Sequence, residues 1–97
     1  MREKWIANMP EIWFEDVAGY EFYVTSNDGG HGVHFHIKRN NSYRLAKFVL
    51  AADGDVIVDS TTLDAKTTRK IQLYMRRNWN GFVQAWRSFF GNCHFDK

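Results

Sequence analysis

The sequence predicts an α+β fold of two layers, in which an antiparallel meander of about four strands packs against a long C-terminal helix. Two observations support this prediction. Apolar and polar residues alternate with a period of two between residues 20 and 59, and between residues 64 and 90 the apolar residues recur with a period of 3.6. The 97 residues contain no repeat or linker and suit a single domain, residues 1–97, with one modest core.

The N-terminal part of the chain has the weakest pattern. Residues 1–16 form a leader whose apolar side chains fit a further strand, a segment that covers the core, or an exposed partner surface. The apolar residues of this leader are Trp5, Ile6, Ile12, Trp13 and Phe14. The first clear strand begins at Tyr20, where Tyr20, Phe22 and Val24 alternate with their neighbours, and the turn residues S-N-D-G-G at positions 26–30 end it.

The second predicted strand has one apolar and one basic face. The apolar face consists of Val33, Phe35 and Ile37, and the basic face of His34, His36 and Lys38. Successive side chains of a strand point to opposite faces, so the odd-numbered residues are predicted to enter the core. The even-numbered imidazoles are then expected on the polar side of the sheet.

Two further strands complete the predicted sheet. Asn40-Asn41 supplies a turn, because Asn tolerates positive φ, and residues 43–50 favour a strand on both faces. Asp53-Gly54 predicts a hairpin turn into a last strand at residues 56–58. Residues 59–62 are Asp, Ser and Thr, residue types that commonly cap the start of a helix.

The C-terminal third predicts one long amphipathic helix, or two helices in phase. Seven apolar residues fall within an arc of about 120°. They are Ile71, Met75, Trp79, Phe82, Val83, Trp86 and Phe90. Six basic residues occupy the opposite arc, namely Lys66, Arg69, Lys70, Arg76, Arg77 and Arg87. Gly81 is the position at which the pattern admits a bend or break, and Gly91 is placed as a left-handed C-terminal cap.

Charge and composition narrow the classes of function. The net charge is +2, but residues 1–63 sum to −3 and residues 64–97 to +5. Such asymmetry favours a nucleic-acid or acidic-partner surface, or attraction between the two halves. The apolar run at residues 48–52 is too short to span a membrane, and the charged N-terminus lacks a secretory signal, so a cytoplasmic location is expected.

The histidines suggest a metal site. His34 and His36 lie two apart on a strand, with Cα atoms about 6.6 Å apart, and project side by side. His31 is a third candidate ligand, with Asp28 or His94 as a fourth. Imidazole and carboxylate donors of this kind suit zinc or another first-row metal.

The same pair also fits a metal-independent endoribonuclease. One of His34 and His36 would take the proton of a ribose 2′-hydroxyl while the other protonates the leaving oxygen, and Lys38 or a helix arginine would stabilise the charged intermediate. Alternatively, the histidines have no chemical role and are simply the polar side of the strand.

The six basic helix residues form a candidate surface for RNA or for an acidic partner protein, since only Asp64 opposes them. The alternative is a solvated helix face. The chain contains no phosphate-binding loop, dinucleotide fingerprint, nucleophile elbow or zincin motif, so no cofactor is expected. A single cysteine, Cys93, excludes an intrachain disulfide.

The order of these elements resembles that of the bacterial domain of unknown function family 4160. The matching segments are residues 20–28, His34-Phe35-His36-Ile37, Ala46-Lys47-Phe48, Gly54-Asp55-Val56, the helix through Asn78, Trp86 and Phe90-Gly91. Where members of the family have two prolines before the first histidine of the pair, this chain has Gly32 and Val33, with an additional His31.

The resemblance implies a compact α+β fold and a prokaryotic origin. It also implies that the protein is a component of a toxin-antitoxin-like gene pair, in which a small cognate partner protein is encoded alongside. The leading hypothesis is therefore an interaction module whose basic helix face binds RNA or an acidic partner protein. The histidine endoribonuclease and the metal-binding domain are the two alternatives.

Overall fold

The structure is a computed structural model that describes residues 5–8, of which it gives the backbone, residues 19–25 and residues 28–97. Five strands form one antiparallel sheet in the order of the chain, β1-β2-β3-β4-β5. The strands are β1 Trp5–Asn8, β2 Glu21–Thr25, β3 His34–Arg39, β4 Ser42–Leu50 and β5 Val56–Thr61. The predicted α+β fold with an antiparallel meander is confirmed, and β1 adds a strand to the four predicted ones.

The strand β1 belongs to the leader. It pairs with β2, so that Trp5 lies opposite Thr25 and Asn8 opposite Tyr23. The strand interpretation of the leader is therefore confirmed for Trp5–Asn8. The predicted apolar positions Ile12, Trp13 and Phe14 lie outside the described residues.

The turns follow from the residues predicted to form them. Asn40, between β3 and β4, has a φ of 53°, and Gly54, between β4 and β5, has a φ of 96°. Asn tolerates this left-handed region and Gly enters it without steric cost. β5 continues to Thr61 instead of ending near Val58, because Lys47 and Ala46 of β4 still pair with Ser60 and Thr61 beyond a bulge. The expectation that residues 59–62 cap the helix is therefore wrong.

Two helices follow the sheet, α1 Ala65–Arg77 and α2 Trp79–Phe90. Asp64 is the N-cap of α1, and its carboxylate accepts a hydrogen bond from the N–H of Thr67 at 2.7 Å. The helix breaks at Asn78, which has a φ of −115° and a ψ of 25°, and not near Gly81. Gly91 ends α2 with a φ of 78°, as predicted.

The core lies between one face of the sheet and the apolar side of the helices. Fully buried side chains of the sheet include Phe22, Val24, Val33, Phe35, Ile37, Phe48 and Leu50. The predicted apolar stripe of the helices packs against them, with Trp79 and Phe90 partly buried and the other five members buried. Burying a large apolar side chain contributes about 1.5–3 kcal/mol, so the burial of these side chains holds the helices on the sheet. No described helix is long and apolar enough to cross a bilayer.

Candidate metal centre

Three polar side chains meet on the side of β3 that faces away from Phe35. His34 and His36 are two residues apart on β3 and share a face of the sheet, while Asp28 opens the short 3-10 turn Asp28–Gly30 after β2. The β2–β3 hairpin folds the turn back over the start of β3, which brings Asp28 to the imidazoles. Among the described residues, this is the one cluster of His, Cys, Asp and Glu side chains with the spacing of metal ligands.

All three side chains are buried. His34 is 3% exposed, His36 5% and Asp28 6%, although the strand pattern predicts that the imidazoles lie on a polar face. The alternation itself is confirmed, since Phe35 is fully buried in the core. The second face of the sheet is also covered around the histidines, where Tyr23 lies with its ring centroid 5.1 Å from that of His36. The histidines therefore lie on the face opposite Phe35, as predicted, and the structure adds that this face is covered at their position.

The distances within the cluster suit coordination of one ion. Oδ1 of Asp28 lies 3.1 Å from Nε2 of His34 and 3.4 Å from Nε2 of His36. One ligand atom from each residue lies within 4.8 Å of the others. In a tetrahedral site with bonds of about 2.0–2.1 Å, neighbouring ligand atoms are about 3.3 Å apart. The two contacts of Asp28 thus have the length of two edges of a coordination tetrahedron.

Gly32 determines which ring nitrogen of His34 carries a hydrogen. Nδ1 of His34 lies 2.8 Å from the carbonyl oxygen of Gly32, and because a carbonyl can only accept, Nδ1 donates. Nε2 then faces the carboxylate of Asp28. A metal ion bound to Nε2 would occupy the place that a proton otherwise takes.

The carboxylate of Asp28 is held in its charged form. Burial alone would raise the pKa of Asp28, but hydrogen bonds from His34, from His36 and from the backbone N–H of Thr25, at 2.8 Å, outweigh burial and hold the pKa far below its usual value. The Thr25 N–H binds Oδ2, and both carboxylate oxygens face the histidines, with Oδ1 3.1 Å from Nε2 of His34 and Oδ2 3.3 Å from Nε2 of His36. The group is therefore an ionised, oriented oxygen donor.

The structure places the other predicted site residues outside the cluster. His31 is exposed, with its ring centroid 6.1 Å from that of His34. His94 faces Asp96, at 3.6 Å between Nε2 and Oδ1. Lys38 lies further along β3, where its ammonium group pairs with Glu21 at 3.5 Å. Of the predicted metal ligands, His34 and His36 come together with Asp28, and His31 does not join them.

The basic helix residues differ in their surroundings. Arg76 donates from Nε to Oδ1 of Asp55 at 2.7 Å, so this cation is paired across the molecule. Arg87 donates to Sγ of Cys93 at 3.2 Å. Residues 66, 69, 77 and 87 are exposed, and residues 70 and 76 are partly buried. The six cations therefore do not form one uniform solvent-facing surface.

Sequence reasoning missed the residues that orient the ligands. The backbone groups of Thr25 and Gly32 act through hydrogen bonds that no side-chain pattern reveals. The signal that pointed to Asp28 was its position in a turn beside the H-x-H strand, which suggested it as one of two possible fourth ligands. Only the folding back of the turn distinguishes it from His94.

The comparison with known families agrees with the fold. Residues 19–87 match the model of the family described as "Domain of unknown function (DUF4160)". This chain belongs to that family. The matched segment includes β2 to β5, α1 and most of α2, and therefore the whole Asp28, His34 and His36 cluster. Neither a curated protein nor a solved structure matches the chain.

Proposed function

We propose that this DUF4160 protein binds a divalent transition-metal ion through Asp28, His34 and His36. The observation that carries the proposal is the convergence of the Asp28 carboxylate on the two Nε2 atoms, with Oδ1 3.1 Å from that of His34 and Oδ2 3.3 Å from that of His36. A metal ion entering this cluster needs little rearrangement of its ligands. It would also neutralise the buried carboxylate of Asp28.

The surroundings of the ligands support the same function. Metal-bound histidines usually donate their second N–H to a carbonyl or carboxylate, which fixes the tautomer and the ring orientation. His34 makes such a contact with Gly32, and Asp28 is fixed by the N–H of Thr25. The ligands are thus oriented before the ion arrives.

The donor set indicates the kind of metal. Two imidazoles and one carboxylate suit Zn²⁺ and other first-row ions such as Co²⁺ or Fe²⁺, whereas Mg²⁺ and Ca²⁺ prefer oxygen ligands. Three protein ligands leave one position of a tetrahedral site for water or a substrate, as in catalytic zinc sites. Because the three ligands are buried, this position suits water or another very small ligand.

The metal-binding hypothesis is favoured over the endoribonuclease by burial. A general base and acid must reach the ribose and the leaving oxygen, and His34 and His36 are instead turned onto Asp28. Lys38, the proposed electrostatic helper, is engaged by Glu21. Binding of RNA or an acidic partner by the basic helix residues is a separate prediction that the metal site neither requires nor excludes.

The test is a titration of the metal-free protein with Zn²⁺ in competition with a chromophoric chelator, repeated with Co²⁺ by absorption spectroscopy. We expect one ion per chain and a Co²⁺ spectrum of a site with fewer than six ligands. His36→Gln and Asp28→Asn should weaken binding by more than about 100-fold, the upper range for loss of a supporting contact. His31→Ala is the matched control and should bind as the wild type does.

Far-UV circular dichroism of each variant establishes that the fold is retained. Absence of Zn²⁺ and Co²⁺ binding by the wild-type protein would refute the proposal. Retained affinity in His36→Gln, together with loss in His31→Ala, would assign the ion to a different set of ligands.

A further inference from the structure

The C-terminal tail, residues 92–97, lies against the chain just before β3. The N–H of Val33 donates to the carbonyl of His94 at 3.0 Å, and the N–H of Gly32 donates to Oδ2 of Asp96 at 2.9 Å. The N–H of Ala52, beyond β4, donates to the carbonyl of Lys97 at 3.3 Å. The tail is thus held by hydrogen bonds at two places along the end of the sheet.

An aromatic contact anchors the middle of the tail. Phe95 stacks on Trp79, the first residue of α2, with ring centroids 5.5 Å apart and an angle of 16° between the planes. The indole N–H of Trp79 in turn donates to the carbonyl of Ala51 at 3.0 Å. The position of the tail is therefore tied to α2 and to the end of β4.

Gly32 joins the tail to the metal ligands. Its N–H binds Asp96 and its carbonyl accepts from Nδ1 of His34 at 2.8 Å. A Cβ atom at position 32 would lie 2.6 Å from the backbone nitrogen of Asp96, so the tail packs directly against the glycine. Only a residue without a side chain allows this approach.

We propose that the C-terminal tail acts as a latch for the metal centre, with Asp96 as a positioning residue that holds the Gly32 carbonyl where it orients His34. This inference rests on the proposed metal site. The N–H of an imidazole becomes a stronger donor when its other nitrogen binds a cation, so the ion strengthens the contact between His34 and Gly32. Metal binding and tail docking then favour each other, and the coupling is the same in both directions.

The first experiment measures Zn²⁺ affinity by chelator competition in the full chain. We expect Asp96→Ala and Gly32→Ala to weaken binding by about 10–100-fold, as is typical when a contact that orients a ligand is lost. Asp96→Asn keeps an oxygen that accepts from the Gly32 N–H and should restore most of the affinity. Asp59→Ala is the matched control, because it removes an exposed carboxylate that pairs with Lys47 at 3.7 Å, away from the tail.

The second experiment tests the coupling in the opposite direction. Hydrogen exchange of the Gly32 and Val33 amides, followed by NMR, should slow on addition of Zn²⁺ to the wild-type protein. The factor by which exchange slows should match the factor by which Asp96→Ala weakens Zn²⁺ binding. A merely structural role of Asp96 would change thermal stability without changing either Zn²⁺ affinity or the effect of Zn²⁺ on these amides.

The outcomes separate the latch from the metal site. If the wild-type protein fails to bind Zn²⁺, the proposed function and the latch are both wrong. If it binds Zn²⁺ and folded Asp96→Ala and Gly32→Ala bind equally tightly, the metal site stands and the latch is wrong. Loss of affinity in Asp59→Ala equal to that in Asp96→Ala would attribute the effect to net charge and would also overturn the latch.

Discussion

Trp86 is the largest fully buried side chain of the described residues, and it lies beside His34 of the proposed metal site. Its ring centroid is 5.2 Å from that of His34 and 4.5 Å from that of Phe90. The indole N–H has no hydrogen-bond partner among the residues that the structure describes. A buried donor without a partner costs about 1–3 kcal/mol. The stabilisation from the packing of Trp86 is therefore partly offset by the cost of its unpaired N–H.

Two substitutions of Trp86 separate these opposing effects. Trp86→Ala should lower the free energy of unfolding by about 3–5 kcal/mol, because it leaves a large cavity. Trp86→Phe should lower it by only about 1–2 kcal/mol, because removing the unpaired N–H offsets part of the lost packing. Urea denaturation of metal-free protein measures both values. An equal loss in the two variants would mean that the indole N–H itself stabilises the fold.

Gly81 gives a direct test of where the helix breaks. Gly81 lies within α2, and open space surrounds the position that a Cβ would occupy. Ala is favoured over Gly in a helix interior by about 0.8–1 kcal/mol. We therefore expect Gly81→Ala to raise the free energy of unfolding by up to about 1 kcal/mol, measured by urea denaturation. Destabilisation would place the break at Gly81 after all.

The contact between Asp55 and Arg76 joins the β4–β5 turn to α1. The backbone N–H of Val56 and, to a smaller extent, Nε of Arg76 lower the pKa of the Asp55 carboxyl group. A carboxyl group whose pKa falls on folding contributes stability above its unfolded pKa, and that contribution disappears as the pH falls through the folded pKa.

Substitution of Arg76 should therefore shift this titration. We expect Arg76→Ala to raise the pKa of Asp55 part of the way to its usual value, because the contact with Val56 remains. A ¹³C NMR titration of the side-chain carboxyl measures the shift. Arg77→Ala, which removes an exposed neighbouring cation, is the control. A complete return to the usual pKa in Arg76→Ala would show that the arginine is the main cause.

The sequence pattern predicted the strands and helices because buried and exposed residues recur in them with a regular period. The alternation of Val33, Phe35 and Ile37 is enough to specify β3, and the residue types at Asn40 and Gly54 are enough to specify turns. Pattern could not predict that the opposite face is buried, because alternation distinguishes the two faces but does not say what covers each. The burial of the imidazoles therefore could not be derived from the pattern.

The candidate site was predictable only in part for a similar reason. His34 and His36 are neighbours by strand geometry alone, but their third partner depends on how the residues after β2 fold back. Residues 92–97 have no apolar period, so nothing in the sequence indicated that they bind Gly32. The break at Asn78 instead of Gly81 also shows that a glycine permits a bend without requiring one.

For the whole molecule, the opposite charges of the two halves of the sequence have a partial structural explanation. The first 63 residues sum to −3 and the rest to +5, and the ion pair between Asp55 and Arg76 joins one half to the other. Arg69 and Arg77, by contrast, are exposed. Variants of these two residues, and not of Arg76, are thus the appropriate test of RNA binding by the helices, since Arg76→Ala also breaks an internal contact.

The stability of the whole domain should depend on the ion if the proposed metal site is right. An ion that binds only the folded chain adds about 2.7 kcal/mol to the free energy of unfolding when its free concentration is 100 times Kd. For a domain of this size, each kcal/mol shifts Tm by about 4–8 °C. We therefore expect saturating Zn²⁺ to raise Tm by about 10–20 °C in calorimetry, and a chelator to reverse the shift.

Two controls separate site binding from general effects of cations. Mg²⁺ favours octahedral oxygen ligands and should leave Tm unchanged at the same concentration. His36→Gln, which removes one of the three proposed ligands, should show little or no shift with Zn²⁺. A rise in Tm with Zn²⁺ that persists in this variant would place the ion elsewhere on the surface, because a site that lacks one of three ligands cannot stabilise the folded state to the same extent.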